Sequence, residues 1–149
     1  MKNIGVIGLG DMGSGIALNL IKNGFKVFGS DLLPARQQAF KNMGGSLEIS
    51  IADIGKKCDA VFVMVMNGSQ AKSIIFDEDG LARNMEAGST VILSATIKPS
   101  EAEEIGHLIK DTGLQFIDTP VSGGFPGAQS GTLTLMASAS EDVMNKNRD

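Results

Sequence analysis

The apolar residues of this chain fall into short continuous runs, and between the runs they recur at three- and four-residue spacing. Short uninterrupted runs are typical of strands covered on both faces, whereas the longer spacing predicts amphipathic helices. The predicted strands cover residues 3–7, 26–30, 46–49, 60–66, 90–93 and 115–118. The predicted helices cover residues 11–22, 34–43, 50–57 and 69–75, and a further one begins at Ser100. Strands and helices that alternate through short loops predict an α/β fold, doubly wound, with a mostly parallel sheet and helices on both faces.

A glycine-rich turn separates the first predicted strand from the first predicted helix. Its residues are Gly8, Leu9, Gly10, Asp11, Met12 and Gly13, in the spacing Gly-x-Gly-x-x-Gly. In a dinucleotide-binding fold, Gly8 permits the tight turn, Gly10 lets the backbone approach a pyrophosphate, and Gly13 lets helix and strand pack closely. Phosphates favour the N-terminus of the helix that follows. Three spaced glycines alone are a weak signal in a chain that has 19 glycines. The prediction of a Rossmann-type cofactor site therefore rests on the order of strand, turn and helix around them.

Asp31 follows the second predicted strand, at roughly the 20-residue distance where such folds place the acid that binds the adenosine ribose. The alternative is a helix cap, since Pro34 and a predicted helix follow. We favour the ribose role. A carboxylate accepts hydrogen bonds from both ribose hydroxyls and repels a 2′-phosphate, so Asp31 favours NAD over NADP. Arg36 is a residue type that holds such a phosphate, but we expect its side chain to point to solvent.

A second glycine-rich segment follows the last predicted strand. It has the sequence Asp-Thr-Pro-Val-Ser-Gly-Gly from Asp118 to Gly124, continued by Gly127-Ala128 and by Ser130 to Leu133. Glycine, serine and threonine expose many N–H and hydroxyl donors, which suits a carboxylate or another small anion. The same glycines permit a long hairpin-like turn without a ligand. The residues alone leave both interpretations open.

Composition and charge exclude several classes of function. The formal net charge of −4, without any basic run, argues against non-specific binding to nucleic acid. The single cysteine, Cys58, excludes a disulfide framework and a thiolate metal site, and it favours a reducing, cytoplasmic compartment. No apolar segment approaches the ~18–20 residues of a membrane span, and we expect no leader peptide.

The remaining reactive residues have ordinary explanations. Cys58 follows two lysines, which would lower its pKa, but it has no evident catalytic partner and is expected to be a structural thiol. His107 lies among charged residues, as expected on the solvated face of a helix. The acidic run Asp77–Asp79 predicts a charged surface turn rather than a metal site. We therefore predict no metal and no catalytic residue in this chain.

Together the two glycine-rich segments resemble those of the β-hydroxyacid dehydrogenase family, which includes 3-hydroxyisobutyrate dehydrogenases, tartronate semialdehyde reductases and L-threonate dehydrogenases. The match covers Gly8 to Gly13, then Ala17, Asn19 and Leu20, and the segment from Asp118 to Leu133. Two motifs over a hundred residues apart, in the right order, make the resemblance specific. Residues 29–32 are most similar to the L-threonate branch.

The resemblance implies roles for further residues. The cofactor would be bound by the glycine turn, by Asp31 and, near the nicotinamide, by Met66, Asn67 and Thr96. The carboxylate of a small hydroxy acid would be bound by Ser122, Gly123 and Gly124. Leu93 and Ala95 stand where the family has Asp and Ser, so the match around Thr96 is incomplete.

The activity that the resemblance implies is hydride transfer between NAD and a small β-hydroxy acid, assisted by a lysine that helps remove the hydroxyl proton. In the family, this lysine lies in an all-helical second domain that also supplies much of the contact in a homo-oligomer. The resemblance covers residues 1–149 but only the first half of a family member. We therefore expect a dinucleotide-binding domain without the catalytic lysine. Lys146 has no matching motif around it.

Two other functions stay open at this point. One is an NADP-dependent domain similar to 6-phosphogluconate dehydrogenase or to a semialdehyde reductase, which Asp31 disfavours. The other is a non-catalytic module that senses NAD. The acidic runs of the chain offer no evident partner surface for such a module.

Overall fold

A six-stranded parallel sheet forms the centre of the protein, and the computed structural model describes residues 2–148. Its strands are β1 (Asn3–Ile7), β2 (Lys26–Ser30), β3 (Ser46–Leu47), β4 (Ala60–Val63), β5 (Thr90–Leu93) and β6 (Gln115–Asp118). Their spatial order is β3-β2-β1-β4-β5-β6, the order of the Rossmann fold. The prediction of a doubly wound α/β fold is confirmed.

Helices cover both faces of this sheet. They are α1 (Asp11–Lys22), α2 (Pro34–Asn42), α3 (Ile51–Lys57), α4 (Gly68–Phe76), α5 (Leu81–Asn84), α6 (Pro99–Lys110), α7 (Gly124–Ser130) and α8 (Glu141–Lys146). Ile54, Ile75 and Ile105 of the middle helices pack in one core with Val61 and Leu93 of the sheet. A second core forms on α1 and α2. Within the described part of the chain, no helix has both the length and the apolar character needed to cross a bilayer.

The segment after β6 is more ordered than a loop. Two short antiparallel strands, β7 (Val121–Ser122) and β8 (Thr134–Leu135), flank α7, and Asp118 then pairs with Ser138. The hairpin-like interpretation of this segment is therefore correct for its backbone. The helix was not predicted, because glycine and proline disfavour helices and only the packing of α7 on α1 compensates.

Some element boundaries differ from the predicted ones. Strand β4 ends at Val63 rather than Met66, because α4 begins at Gly68 with Asn67 as its N-cap and the chain needs the intervening residues to turn. Helix α6 begins at Pro99, one residue before the predicted start at Ser100, and its N-cap is Lys98, whose N–H donates to the Glu101 carboxylate at 3.0 Å. Helix α3 begins at Ile51 rather than at residue 50, because Ser50 is its N-cap and the Ser50 Oγ accepts from Asp53 N–H at 3.0 Å.

Helices α1 and α7 are in unusually close contact. A Cβ placed on Gly15 of α1 would lie 2.6 Å from the backbone and Cβ of Ala128 in α7. The Asn19 side-chain amide donates hydrogen bonds to Ala128 O at 2.8 Å and to Gly15 O at 2.9 Å. The helix that follows the first glycine-rich segment is therefore bonded directly to the helix inside the second.

Replacing glycine by alanine is expected to change the stability of the fold in opposite directions at Gly15, which lies in this contact, and at Gly106, which does not. Gly15→Ala is expected to destabilise the fold by roughly 1–3 kcal/mol, because the methyl group overpacks the contact. Gly106→Ala in α6 is the matched control. Its Cβ would lie 3.6 Å from the Phe116 ring, in ordinary contact, so the lower backbone entropy of alanine should stabilise the fold by about 0.5–1 kcal/mol. Urea unfolding measures both, and equal stabilities would contradict the α1–α7 contact.

Candidate functional site

The predicted site residues converge on one edge of the sheet. The carboxyl ends of parallel strands share an edge, and ligands of open α/β sheets bind there. The glycine turn follows β1, Asp31 follows β2, Met66 and Asn67 follow β4, Thr96 follows β5, and Ser122 to Gly124 follow β6. The topology therefore brings every one of these residues to the same edge. Their individual roles stay predictions.

Two glycines of the turn are required by packing inside the protein. Gly8 has a φ of 92°, and a Cβ there would lie 2.1 Å from Met64 O. A Cβ on Gly13 would lie 1.9 Å from Gly8 O. Neither position tolerates a side chain, because the obstacle in both cases is backbone. These contacts hold β1, α1 and the segment after β4 together.

Gly10 differs from its two neighbours in the motif. A Cβ there would be 3.6–3.7 Å from the nearest atoms, all of which belong to the exposed Arg36 guanidinium, so internal packing does not demand a glycine. The first backbone hydrogen bond of α1 runs from Ser14 N–H to Gly10 O at 2.8 Å. The preceding N–H groups of the helix are thus left for a ligand. A bare backbone beside such groups fits the close approach of a pyrophosphate.

Asp31 is held tightly at the end of β2. Its Oδ2 accepts from Leu9 N–H at 2.7 Å and its Oδ1 from Leu33 N–H at 2.9 Å. The side chain is only 5% exposed. The N-cap of α2 is Leu33 rather than Asp31, so the cap alternative is wrong. The carboxylate instead links the glycine turn to the start of α2.

The Arg36 side chain does not point freely into solvent, contrary to expectation. Its Nη1 lies 3.4 Å from Asp31 Oδ2, and its guanidinium covers Gly10. Attraction to the carboxylate accounts for this position, since the third residue of α2 lies within reach of the end of β2. The side chain remains 47% exposed.

The residues after β4 and β5 are differently constrained. Met66 is 85% exposed. Asn67 is the N-cap of α4, and its Oδ1 accepts from Gln70 N–H at 2.9 Å, a structural role that the sequence analysis did not assign. Thr96 is exposed in the segment between β5 and α6. Met66 and Thr96 are thus accessible from solvent, whereas the side-chain oxygen of Asn67 already accepts a hydrogen bond.

The segment that carries the predicted carboxylate site is shaped by glycine. Gly123 and Gly124 have φ angles of 128° and 59°, a backbone region that favours glycine. Ser122 pairs with Thr134 in the β7–β8 hairpin, and its side chain is exposed. Burial raises the pKa of the Asp118 carboxyl, which begins the segment, above its usual range.

Two buried hydroxyl groups were missed by the sequence analysis. Ser94 and Thr119 directly follow β5 and β6, and both are buried. For Ser94, the available signal was a hydroxyl inside the apolar stretch 91–95, whereas Thr119 has the charged residue Asp118 beside it and no such signal. Sequence alone does not show that the two residues lie on neighbouring strands.

The other reactive residues lie away from the shared edge or are inert. Burial, reinforced by Asp59 and Glu48, raises the pKa of Cys58 to about 12 and outweighs the lowering of this pKa by Lys57. His107 is exposed. The Lys146 ammonium donates to Gly88 O, which precedes β5, and so lies at the opposite edge of the sheet. Between residues 2 and 148, no three acidic, histidine or cysteine side chains are grouped to hold a metal ion.

Sequence comparison identifies the family. Residues 3–149 match the family described as the NAD binding domain of 6-phosphogluconate dehydrogenase. The chain belongs to this family. L-threonate dehydrogenase from Cupriavidus necator is 41% identical over 148 residues, which are 99% of this chain and 50% of that protein. Mitochondrial 3-hydroxyisobutyrate dehydrogenase from Mus musculus is 35% identical over 139 residues, which are 93% of this chain and 42% of that protein.

Solved structures agree with this assignment. A 3-hydroxyisobutyrate dehydrogenase from Salmonella typhimurium superimposes with a TM-score of 0.93 at 33% identity, over 99% of this chain and 52% of that one. Psf3, solved in complex with NADP+ and 2-OPP, superimposes with a TM-score of 0.91 at 26% identity, over 97% of this chain and 51% of that one. The resemblance to the N-terminal domain of β-hydroxyacid dehydrogenases is confirmed. The chain spans about half the length of these relatives.

The raised pKa of Cys58 predicts that the thiol is unreactive in the folded protein. Because the reactive form is the thiolate, alkylation by iodoacetamide at pH 8 should be far slower in buffer than in concentrated urea, where the thiol is exposed. Mass spectrometry of the labelled protein measures both rates, and Cys58→Ala provides the unlabelled control. Equal rates in buffer and urea would contradict the structural role.

Proposed function

We propose that this chain is the NAD-binding domain of an oxidoreductase that transfers hydride between NAD and a small β-hydroxy acid. The observation that carries the proposal is Gly10. Its neighbours Gly8 and Gly13 are required by internal packing, whereas Gly10 is required by nothing inside the protein and lies beside the N-terminus of α1. A ligand that approaches the backbone there supplies the missing reason.

The proposed role of each residue follows from its position along the carboxyl edge of the sheet. The glycine turn would bind the pyrophosphate through backbone N–H groups, and Asp31 would accept hydrogen bonds from the adenosine ribose. Met66, Asn67 and Thr96 would lie on the nicotinamide side. When bound, the nicotinamide supplies the hydride acceptor. The residues of this chain would bind and orient the cofactor and the substrate. This alignment lowers the activation barrier for hydride transfer.

The substrate assignment rests on the segment after β6 and on the relatives. Ser122, Gly123 and Gly124 offer one hydroxyl and adjacent N–H groups to a carboxylate. The identity to an L-threonate dehydrogenase supports a small hydroxy acid of the L-threonate or 3-hydroxyisobutyrate type. We further propose a homo-oligomeric full-length form and a reducing cytoplasmic compartment. A catalytic lysine has no counterpart in this segment.

NAD is the proposed cofactor because Asp31 places a negative charge at the ribose position. The carboxylate is fixed by two backbone N–H groups, so it does not swing away from a 2′-phosphate without losing both bonds. Repulsion between the two charges in a weakly solvated site disfavours NADP.

NADP is the second candidate, and Arg36 is the observation in its favour. The guanidinium lies against Asp31 and over Gly10, where it offsets part of the carboxylate charge. A planar guanidinium also matches the geometry of a phosphate. A non-catalytic NAD-sensing module remains a further alternative.

Titration calorimetry with NAD and with NADP tests the cofactor. We expect tighter binding of NAD. Asp31→Asn should weaken NAD binding by about tenfold, since a hydrogen bond to a charged group contributes roughly 1.5–3 kcal/mol, and it should reduce the preference over NADP. Arg36→Gln is the matched control and should leave NAD affinity nearly unchanged.

Other outcomes have defined meanings. Tighter binding of NADP, lost in Arg36→Gln, would replace NAD by NADP as the cofactor. Absence of heat with both cofactors would contradict cofactor binding by this chain.

A separate measurement concerns turnover. The purified chain should bind cofactor without oxidising L-threonate, 3-hydroxyisobutyrate or D-glycerate, because none of its lysines has the family's surrounding motif. The absorbance of reduced nicotinamide follows the reaction, with a full-length relative as the positive control. Sustained reduction of NAD by the wild-type chain in the presence of any of these acids would contradict the proposal that this chain binds the cofactor without catalysing the reaction.

A further inference from the structure

The sequence motif that begins at Gly8 also includes Asn19, a polar residue without a place in the proposed cofactor site. Asn19 is the ninth residue of α1, about 12 Å along the helix from Asp11. Its side chain therefore lies too far from the helix N-terminus to contact a pyrophosphate bound there. The side chain is half-buried, so its amide has to be explained by contacts inside the protein.

The side-chain amide of Asn19 joins α1 to α7. Its Nδ2 donates to Gly15 O, one turn back in α1, at 2.9 Å, and to Ala128 O in α7 at 2.8 Å. Gln129 O lies 3.4 Å from the same nitrogen. An amide nitrogen carries two hydrogens, and the two shorter bonds use both. The bond to Gly15 O fixes the direction of the side chain, and the bond to Ala128 O attaches α7 to it.

The carbonyl of Ala128 needs a donor because of the way α7 ends. Gly131 N–H and Thr132 N–H both donate to Gly127 O, and the last carbonyls of a helix have no partner within the helix. Gly131 has a φ of 73°, and a Cβ there would lie 2.7 Å from Asn19 Oδ1. A glycine at this position thus permits both the left-handed end of α7 and the close approach of Asn19.

Two separate contacts therefore attach α7 to α1. The first is the close approach of Gly15 and Ala128, and the second is the Asn19 amide at the C-terminal turn of α7. Gly123 and Gly124, proposed to bind a carboxylate, lie at the opposite end of the same helix. Because α7 has only seven residues and is about 10 Å long, a shift at its C-terminal turn also moves these two glycines.

The start of α1 is fixed independently of Asn19. Backbone contacts at Gly8 and Gly13 hold the glycine turn against the sheet, and Asp31 is held by the N–H groups of Leu9 and Leu33. Loss of the Asn19 amide should therefore leave the proposed cofactor site in place. Only the segment attached through α7 depends on it.

We propose that Asn19 is a positioning residue that sets the carboxylate-binding segment relative to the bound cofactor. This inference rests on the function proposed above, because it needs both ligands to bind. The Asn19 amide contacts neither of them. It fixes Gly123 and Gly124 relative to the N-terminus of α1, and small misplacements of reacting groups cost large factors in rate.

Two variants of Asn19 test this role. Asn19→Asp keeps the shape of the side chain but directs carboxylate oxygens at two carbonyl oxygens, and Asn19→Ala removes the amide. With NAD at saturation, NMR titration with L-threonate and with 3-hydroxyisobutyrate follows the amide signals of residues 122–124. Both variants should weaken binding of the hydroxy acid by about tenfold, the factor equivalent to one hydrogen bond. The Kd for NAD, measured by calorimetry, should stay nearly unchanged.

Asn23 provides the matched control, because it lies one turn further along α1 and carries the same amide. Its Nδ2 donates to Asn19 O at 2.8 Å, within the same chain segment. Asn23→Asp and Asn23→Ala should leave the affinities for NAD and for the hydroxy acid unchanged. Urea unfolding of all four variants separates stability from positioning. If Asn19→Ala lowers stability but binds the hydroxy acid as tightly as the wild type, the positioning role is overturned.

The outcomes distinguish this inference from the proposed function. Binding of a hydroxy acid to the wild-type chain, with the same affinity in both Asn19 variants, would overturn the role of Asn19 alone. Absence of such binding to the wild-type chain with NAD present would overturn the proposed carboxylate site and the role of Asn19 together with it.

The wild-type chain also allows a measurement that needs no variant to fold. The side-chain amide protons of Asn19, both bonded to carbonyl oxygens, should exchange with solvent more slowly than those of the exposed Asn23. NMR measures both rates. Equal exchange at the two amides would show that the bond to α7 does not persist in solution and would overturn the proposal.

Discussion

The rest of the structure depends on the backbone contact between the glycine turn, α1 and the chain after β4. The carbonyl oxygens of Gly8 and Met64 occupy the space that side chains on Gly13 and Gly8 would need. Because backbone cannot retreat as a flexible side chain can, this contact sets where α1 begins relative to the sheet. This contact therefore also fixes the position of the N-terminal N–H groups of α1, where the proposed anion site lies.

A second contact extends this position to the other glycine-rich segment. Gly15 and Ala128 bring α1 and α7 together, and Asn19 bonds the carbonyl of Ala128. The helix that would face the pyrophosphate thus also supports the segment proposed to bind a carboxylate. Proper alignment of two reactants requires such a rigid connection, since small misplacements cost large factors in rate. The two glycine-rich segments, over a hundred residues apart in the sequence, are thus held together by the contact between α1 and α7.

The charge around Asp31 is balanced rather than uniformly negative. Asp31 is anchored by backbone N–H groups of Leu9 and Leu33, whereas Arg36 reaches it from an exposed position. The carboxylate is thus anchored by backbone on both oxygens, whereas the guanidinium is about half exposed. The proposed preference for NAD therefore rests on the anchored carboxylate of Asp31, and the alternative of NADP rests on the exposed guanidinium of Arg36.

Local sequence determined the alternation of strands and helices, the glycine turn and the place of Asp31, because periodicity and turn chemistry act over a few residues. These features were predicted nearly to their observed bounds in α1, β5 and β6. Tertiary structure alone placed Arg36 over Gly10, formed α7 against α1, and bonded Asn19 to Ala128. Each of these contacts depends on which distant segments become neighbours in the fold. The spacing of residues within a single segment therefore does not predict them.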